Sequence, residues 1–151
     1  SEMCIRDRSL VRGSHLIVNL KIQCPLVLQN DKDGRIIFML PLENLCLVGT
    51  TEYKHQIKDP IVCTQIERDY LLNIINNYVD VHLTSKDIVD EYAGVRPLVF
   101  NSNTKDISKI SRDSAIELNE SLINIFGGKW TSGPSLGLKV SNMIEQTQVD
   151  V

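Results

Sequence analysis

Short apolar runs separated by polar turns fill the first third of the chain. Strand-like runs occupy residues 14–18, 25–29, 35–41 and 45–51, and the pair Asp33-Gly34 stands between the second run and the third. An Asp-Gly pair supplies the positive φ that a tight hairpin turn needs. Four strands joined by short polar turns predict an antiparallel sheet.

The spacing of the apolar residues becomes helical after residue 63. Thr64 and Glu67 have the spacing of a capping box. The apolar residues that follow recur at helical intervals, and they are Ile66, Tyr70, Leu71, Ile74, Ile75 and Tyr78. Such a stripe is typical of a helix that packs on a core, so we expect this helix to lie on one face of the sheet.

The second half of the chain returns to strand-like patterns. Residues 87–93 favour a strand that continues into residues 94–98, and two more strands are predicted at residues 112–118 and 121–126, after a polar loop. Pro134 is compatible with a closing helix, because proline is tolerated in the first helical turn. The pattern as a whole predicts a mixed α+β fold.

Composition excludes several classes of function. The chain has 151 residues, enough for about one domain, and a net charge of -3, which leaves no basic surplus for binding nucleic acid. No apolar run approaches the roughly 18 residues of a transmembrane helix, so membrane contact would have to be peripheral. The four cysteines form no Cys-x-x-Cys pair and have no histidine at ligand spacing, so we predict reduced, buried thiols and no metal site.

Three residues are candidates for chemistry. Lys129 follows the glycines Gly127 and Gly128, whose backbone can come close to an anion or an electron-rich ring. Arg96 stands in a Gly-Val-Arg-Pro frame that would suit bidentate recognition of phosphate or carboxylate. His15 is a possible base at neutral pH. Taken alone, each residue fits a purely structural role better than a functional one. We predict that His55 and His82 are surface residues.

Six segments, taken in order, resemble the landmarks of one family, the FAD-dependent (aerobic) glycerol-3-phosphate dehydrogenases. They are GSHLIV at 13–18, residues 28–38 around the Asp-Gly turn, GTTE at 49–52, GVRPL at 94–98, SRD at 111–113 and FGGKWT at 126–131. Each segment alone is a weak signal. Their shared order over residues 13–131 makes the resemblance specific.

The resemblance implies a two-part flavoenzyme. We expect residues 10–100 to form a largely antiparallel substrate-binding domain, and residues 101–151 to form returning strands and a helix of a FAD-binding domain of the glutathione-reductase-like, D-amino-acid-oxidase type. Residues 1–9 look like a translated sequencing-adapter scar. No Gly-x-Gly-x-x-Gly fingerprint is present, so we expect a fragment truncated at its N-terminus that neither retains FAD nor turns over alone.

The resemblance also assigns roles to residues. Arg96, Arg112 and Lys129 would surround the substrate phosphate and the flavin edge, and His15 would lie near the reacting hydroxyl, with water or Lys129 as alternative bases. The residues that would line the isoalloxazine ring are Gly127, Gly128, Lys129, Trp130 and Thr131. Residues 132–137 depart from the family, which usually continues with a second threonine, an aromatic residue and an arginine, so we assign them no ligand contact.

The expected function is oxidation of sn-glycerol 3-phosphate to dihydroxyacetone phosphate, with FAD as hydride acceptor and membrane quinone as electron acceptor. The resemblance implies a cytoplasmic protein bound peripherally to the inner face of the bacterial cell membrane, and it leaves a homodimer open. Two alternatives remain: a related FAD-dependent oxidase that uses dioxygen, and a non-catalytic β-rich binding module.

Overall fold

The computed structural model describes the backbone of residues 8–99, 114–119 and 122–149. It divides into two compact units, Leu10–Arg96 and the described residues from Pro97 onward. The domain limits predicted at residues 10 and 101 stay predictions.

The first unit is built on a six-stranded sheet. Its strands are β1 (Arg8–Val18), β2 (Leu26–Gln29), β3 (Ile36–Leu42), β4 (Leu45–Gly49), β5 (Tyr53–Lys54) and β6 (Ile88–Val99). The order is β2-β3-β4-β1-β5, with β6 also paired to β1. The β1·β4, β1·β5, β2·β3 and β3·β4 pairs are all antiparallel, which confirms the predicted sheet.

The turn between β2 and β3 forms at the predicted Asp-Gly pair. Gly34 has a φ of 70° and donates its N–H to the Asn30 carbonyl at 2.7 Å. The short β5 was not predicted, because two residues carry no alternation of their own.

Helix α1 (Gln65–Ile75) begins after Thr64, at the predicted capping box. Its residues Leu71 and Ile75 are fully buried in the same core as Leu16, Ile37 and Val48 of the sheet. The predicted stripe is wrong at its two ends, because Ile66 is 68% exposed and Tyr78 lies beyond the helix and is 47% exposed. Glu67, next to Ile66, turns into the core instead.

The second unit contains an antiparallel pair and a helix. Strands β7 (Ser114–Asn119) and β8 (Leu122–Gly127) pair along their length, and a 3-10 turn (Trp130–Ser132) leads into helix α2 (Gly133–Val149). Pro134 is the second residue of α2, as its compatibility with a first turn predicts. Among the described residues, neither helix has the length and apolarity required to span a membrane.

The described thiols only partly match the prediction. Cys46 and Cys63 are buried, whereas Cys24 is exposed, so the prediction of a buried thiol is wrong there. Burial raises the pKa of Cys46 to about 11, which keeps this thiol protonated. In the part of the chain that the structure describes, no three His, Cys, Asp or Glu side chains come together as a possible metal site.

Candidate functional site

The two sides of β1 carry different residues, because successive side chains of a strand point to opposite faces. Ser14, Leu16 and Val18 are fully buried on the side that α1 covers. Gly13 and His15 alternate with them and therefore face the other side of the sheet. Two segments of the family resemblance, residues 13–18 and 49–52, meet here, since His15 pairs with Gly49 across β1 and β4.

The His15 ring is held by two neighbours. It stacks on the Tyr92 ring, with centroids 4.8 Å apart and planes 12° from parallel. It also covers Gly49, where a Cβ atom would lie 2.3 Å from His15 Cδ2. Only glycine fits beneath the ring, so the identity of residue 49 follows from the position of the imidazole.

The surroundings of His15 favour the neutral form of its imidazole. Burial lowers its pKa from the usual 6.5, and the positive charge of Arg96 lowers it further. Its Nδ1 is buried and finds no hydrogen-bond partner among the described residues. A neutral imidazole can accept a proton, which is the property a base requires.

Arg96 lies against the loop that follows β4. Its Nη2 donates to Thr50 Oγ1 at 3.0 Å, and its Nη1 is 3.7 Å from Glu52 Oε1. The guanidinium also lies over Gly13, where a Cβ would be 2.9 Å from Nη2. About a third of the Arg96 side chain is exposed, whereas its Nη1 atom is buried. The segments GSH, GTTE and GVRP therefore meet in one place, as a shared site requires.

The glycine turn of the second unit has an unusual backbone. Gly127 and Gly128 have φ values of 70° and 103°, a region that residues with a Cβ rarely adopt. Ser132 closes the turn, since its N–H and hydroxyl both donate to the Lys129 carbonyl at 3.0 Å. Ser132 thus has a local structural role in the turn.

The side chains after this turn are open to solvent. Lys129 and Thr131 are exposed, and Trp130 is 98% exposed. Two successive glycines without Cβ atoms, an ammonium group and the N-terminus of α2 form a surface that a flat, electron-rich group could approach. The residues present therefore fit the edge of a flavin ring.

The structure groups the predicted site residues within each unit. His15 and Arg96 come together in the first unit, and Gly127, Gly128, Lys129, Trp130 and Thr131 are contiguous in the second. Arg112 lies outside the described residues. The roles of all these residues stay predictions.

Three residues at the site were not predicted from the sequence. Tyr92 shares a strand face with Arg96, four residues away, and that alternation was a usable signal. Glu52 lies two residues after Thr50 in the GTTE segment. Glu67 was placed in a capping box, but nothing in the local pattern indicates that it is fully buried. His55 was wrongly predicted to be at the surface, since it is only 6% exposed, whereas His82 is exposed as predicted.

Comparison with known proteins points to one family. The family described as FAD dependent oxidoreductase matches residues 4–143. The chain is 35% identical over 144 residues to an aerobic glycerol-3-phosphate dehydrogenase of Staphylococcus aureus, covering 91% of this chain and 26% of that protein. It is also 36% identical over 107 residues to a mitochondrial glycerol-3-phosphate dehydrogenase of Mesocricetus auratus, covering 69% of this chain and 15% of that protein.

A solved structure has the same fold. The glycerol-3-phosphate dehydrogenase of Bacillus halodurans, determined in complex with FAD, superposes with a TM-score of 0.76 at 28% identity, over 93% of this chain and 27% of that one. The chain thus spans about a quarter of the length of this structure and of the Staphylococcus relative.

Proposed function

Because the chain belongs to the FAD-dependent oxidoreductase family, we propose that it is part of a dehydrogenase that oxidises sn-glycerol 3-phosphate to dihydroxyacetone phosphate. The observation that carries the proposal is the pairing of Arg96 with His15 on one face of the sheet. The guanidinium of Arg96, whose side chain is about a third exposed, would bind an anion beside an imidazole whose lowered pKa favours its role as proton acceptor.

Arg96 would bind the phosphate of the substrate. A guanidinium presents several N–H donors in a fixed plane, which suits two oxygens of one phosphate. Thr50 and Gly13 fix its orientation by a hydrogen bond and by close contact. Arg112 is proposed as a second cation for the same phosphate. Holding the phosphate sets the position of the secondary alcohol, and such positioning contributes several kcal/mol to lowering a barrier.

His15 would accept the proton of the substrate hydroxyl. Its lowered pKa keeps the imidazole unprotonated at neutral pH, and the stack on Tyr92 holds the ring in one orientation. Oxidation of a secondary alcohol requires this proton and a hydride to leave. Lys129 is a second residue that we propose for catalysis, as a positive charge at the edge of the flavin ring.

FAD is the cofactor we propose, and when bound it supplies the hydride acceptor. Gly127, Gly128, Lys129, Trp130 and Thr131 would line its ring, since the positive-φ glycines leave the backbone open and Lys129 is exposed beside them. The match to a FAD-dependent family argues against the alternative of a non-catalytic binding module.

The test is anaerobic reduction of the flavin in the natural protein that carries this chain. Glycerol 3-phosphate should bleach the flavin absorbance, whereas glycerol and amino acids should not, because neither offers a phosphate to Arg96. Bleaching by an amino acid or a simple hydroxy acid would favour the dioxygen-using oxidase instead. Absence of flavin from the purified protein would refute the proposal.

We further propose that electrons pass to membrane quinone and that the protein is cytoplasmic and bound peripherally to the inner face of the bacterial cell membrane. The family resemblance supports both proposals. Glycerol-3-phosphate-dependent reduction of a soluble quinone analogue, without matching oxygen consumption, would test the acceptor. Release of the protein from membranes by alkaline carbonate would test peripheral attachment, and sedimentation analysis would test a homodimer.

A further inference from the structure

Glu67 is a fully buried carboxylate near the candidate site, and no role has been assigned to it above. Its side chain is 0% exposed. It accepts hydrogen bonds from four residues of three segments: Arg12 Nη2 at 2.8 Å, Ser14 Oγ at 2.8 Å, Thr51 Oγ1 at 2.8 Å, and Thr64 N and Oγ1 at 3.0 and 2.7 Å. We call Glu67 with Arg12, Ser14, Thr51 and Thr64 the Glu67 cluster.

The cluster contains far more than a helix cap. In a capping box the carboxylate needs to accept only from the N-cap residue, here Thr64. The chain offers a direct comparison in Asp87, which accepts the same two bonds from Thr84 at 2.7 and 2.9 Å. Asp87 is half-buried, and the hydrogen bonds to its carboxylate among the described residues come from Thr84 alone. Its backbone carbonyl accepts a separate bond from Asn19 N at 2.8 Å. The bonds from Arg12, Ser14 and Thr51 are therefore additional to capping.

Those additional bonds go to the immediate neighbours of the site residues. Ser14 lies between Gly13, which supports the Arg96 guanidinium, and His15. Thr51 follows Thr50, the hydroxyl partner of Arg96. Ser14 N also donates to Thr51 Oγ1 at 2.8 Å, so the two segments are joined to each other as well as to Glu67. The cluster thus fixes the two segments from one side of the sheet, and the candidate site lies on the other side.

The energetics favour one rigid arrangement. A buried charge is stable only when it is paired and hydrogen-bonded, and loss of one partner leaves the others unsatisfied. Glu67 meets this condition with an arginine and three hydroxyls. Any shift of Ser14 or Thr51 would break a bond to a desolvated carboxylate, so their positions tolerate little movement.

We propose that Glu67 is a positioning residue that, through Ser14 and Thr51, sets the places of the His15 imidazole and the Arg96 guanidinium. The proposal rests on the proposed function for its substrate readout. Its mechanical part, that Glu67 immobilises the strand and the loop beneath the site, stands without that function.

The experiment compares Glu67→Gln with Asp87→Asn in the FAD-loaded natural protein. The glutamine has the same size, but its amide NH2 would face hydrogen-bond donors. Anaerobic stopped-flow reduction by glycerol 3-phosphate separates the substrate Kd from the limiting rate of flavin reduction. We expect E67Q to raise the substrate Kd, to lower the limiting rate of flavin reduction, or both, by about 10- to 100-fold. Misplacement of positioning groups has effects of this size. D87N should change the substrate Kd and the limiting rate by less than about twofold each.

A second readout does not depend on the substrate. Amide hydrogen exchange should accelerate in E67Q over residues 13–15 and 49–52 and stay unchanged there in D87N. If the unmodified protein is not reduced by glycerol 3-phosphate, the proposed function fails, while this exchange pattern still decides the positioning role.

A milder variant tests the proposal if E67Q does not fold. Thr51→Val keeps the shape and removes one hydroxyl of the cluster, and we expect the same effects at smaller size. The proposal is overturned if E67Q, or T51V where E67Q does not fold, lowers thermal stability but leaves substrate Kd, reduction rate and exchange over residues 13–15 and 49–52 unchanged.

Discussion

The imidazole of His15 lies directly over the Cα atom of Gly49. A Cβ at residue 49 would be 2.3 Å from His15 Cδ2 and 2.8 Å from Cγ, far inside any real carbon contact. The two residues are also register partners on β1 and β4. The position of the ring therefore depends on the absence of a side chain across the strand pair.

Gly49→Ala should displace the His15 ring and disturb its stack on Tyr92. If His15 is the base, we expect kcat to fall by about 10- to 100-fold while FAD stays bound, because the base leaves its reacting position. Steady-state kinetics per bound flavin measures this. The matched control is Gly137→Ala in α2, where an added Cβ meets nothing within 4 Å. An unchanged kcat in G49A would show that the ring position is not important to the reaction.

Arg96→Ala should raise KM for glycerol 3-phosphate and lower kcat/KM by about 10² to 10³, as expected when a charge-assisted phosphate contact is lost. Arg68→Ala is the control, since Arg68 also pairs with a carboxylate, that of Glu91, but is not among the predicted phosphate ligands. Equal losses in the two variants would indicate a general effect on folding and remove Arg96 from the site.

The pH dependence of kcat/KM should report on His15. Burial and the Arg96 charge lower its pKa, so the acidic limb of the profile, where protonation removes the base, should lie below pH 6.5. Arg96→Gln removes the positive charge and leaves the burial, so the limb should move to higher pH. A limb that stays in place in R96Q would mean that another group accepts the proton.

Stability in acid should depend on Glu67. Burial raises its pKa, but hydrogen bonds from Thr64, Ser14 and Thr51 outweigh this and lower the pKa from 4.5 to about 2. A lowered carboxyl pKa stabilises the folded protein above the unfolded value, and this contribution is lost as pH falls from about 4.5 through about 2. Its full size is on the order of 3 kcal/mol.

Urea unfolding of the unmodified protein and of Glu67→Gln across this pH range provides the measurement. The difference in free energy of unfolding between the two should shrink steadily as the solution becomes more acidic, because the glutamine does not titrate. A difference that is independent of pH between 5 and 2.5 would contradict the lowered pKa of Glu67.

Much of the secondary structure could be predicted from local patterns. Alternation located β2, β3 and β4, the Asp-Gly pair located the turn at Gly34, and the Thr64 capping box located the start of α1. These features depend on neighbours within a few residues, and such interactions are visible in the order of residues itself. The family resemblance then indicated which residues to consider for the site.

The contacts that shape the site were decided by the tertiary structure. Tyr92 stacks on His15 from 77 positions away, and Glu67 accepts hydrogen bonds from Ser14, which is 53 positions away. Strand order puts β1 at the centre of the sheet. Because of this placement, one face of β1 is buried and the other carries the candidate site. The sequence alone determined most of the strands and the helix α1, because those depend on local backbone preference. Which side chains meet depended on how distant strands pair and on what α1 covers, and no local pattern encodes that.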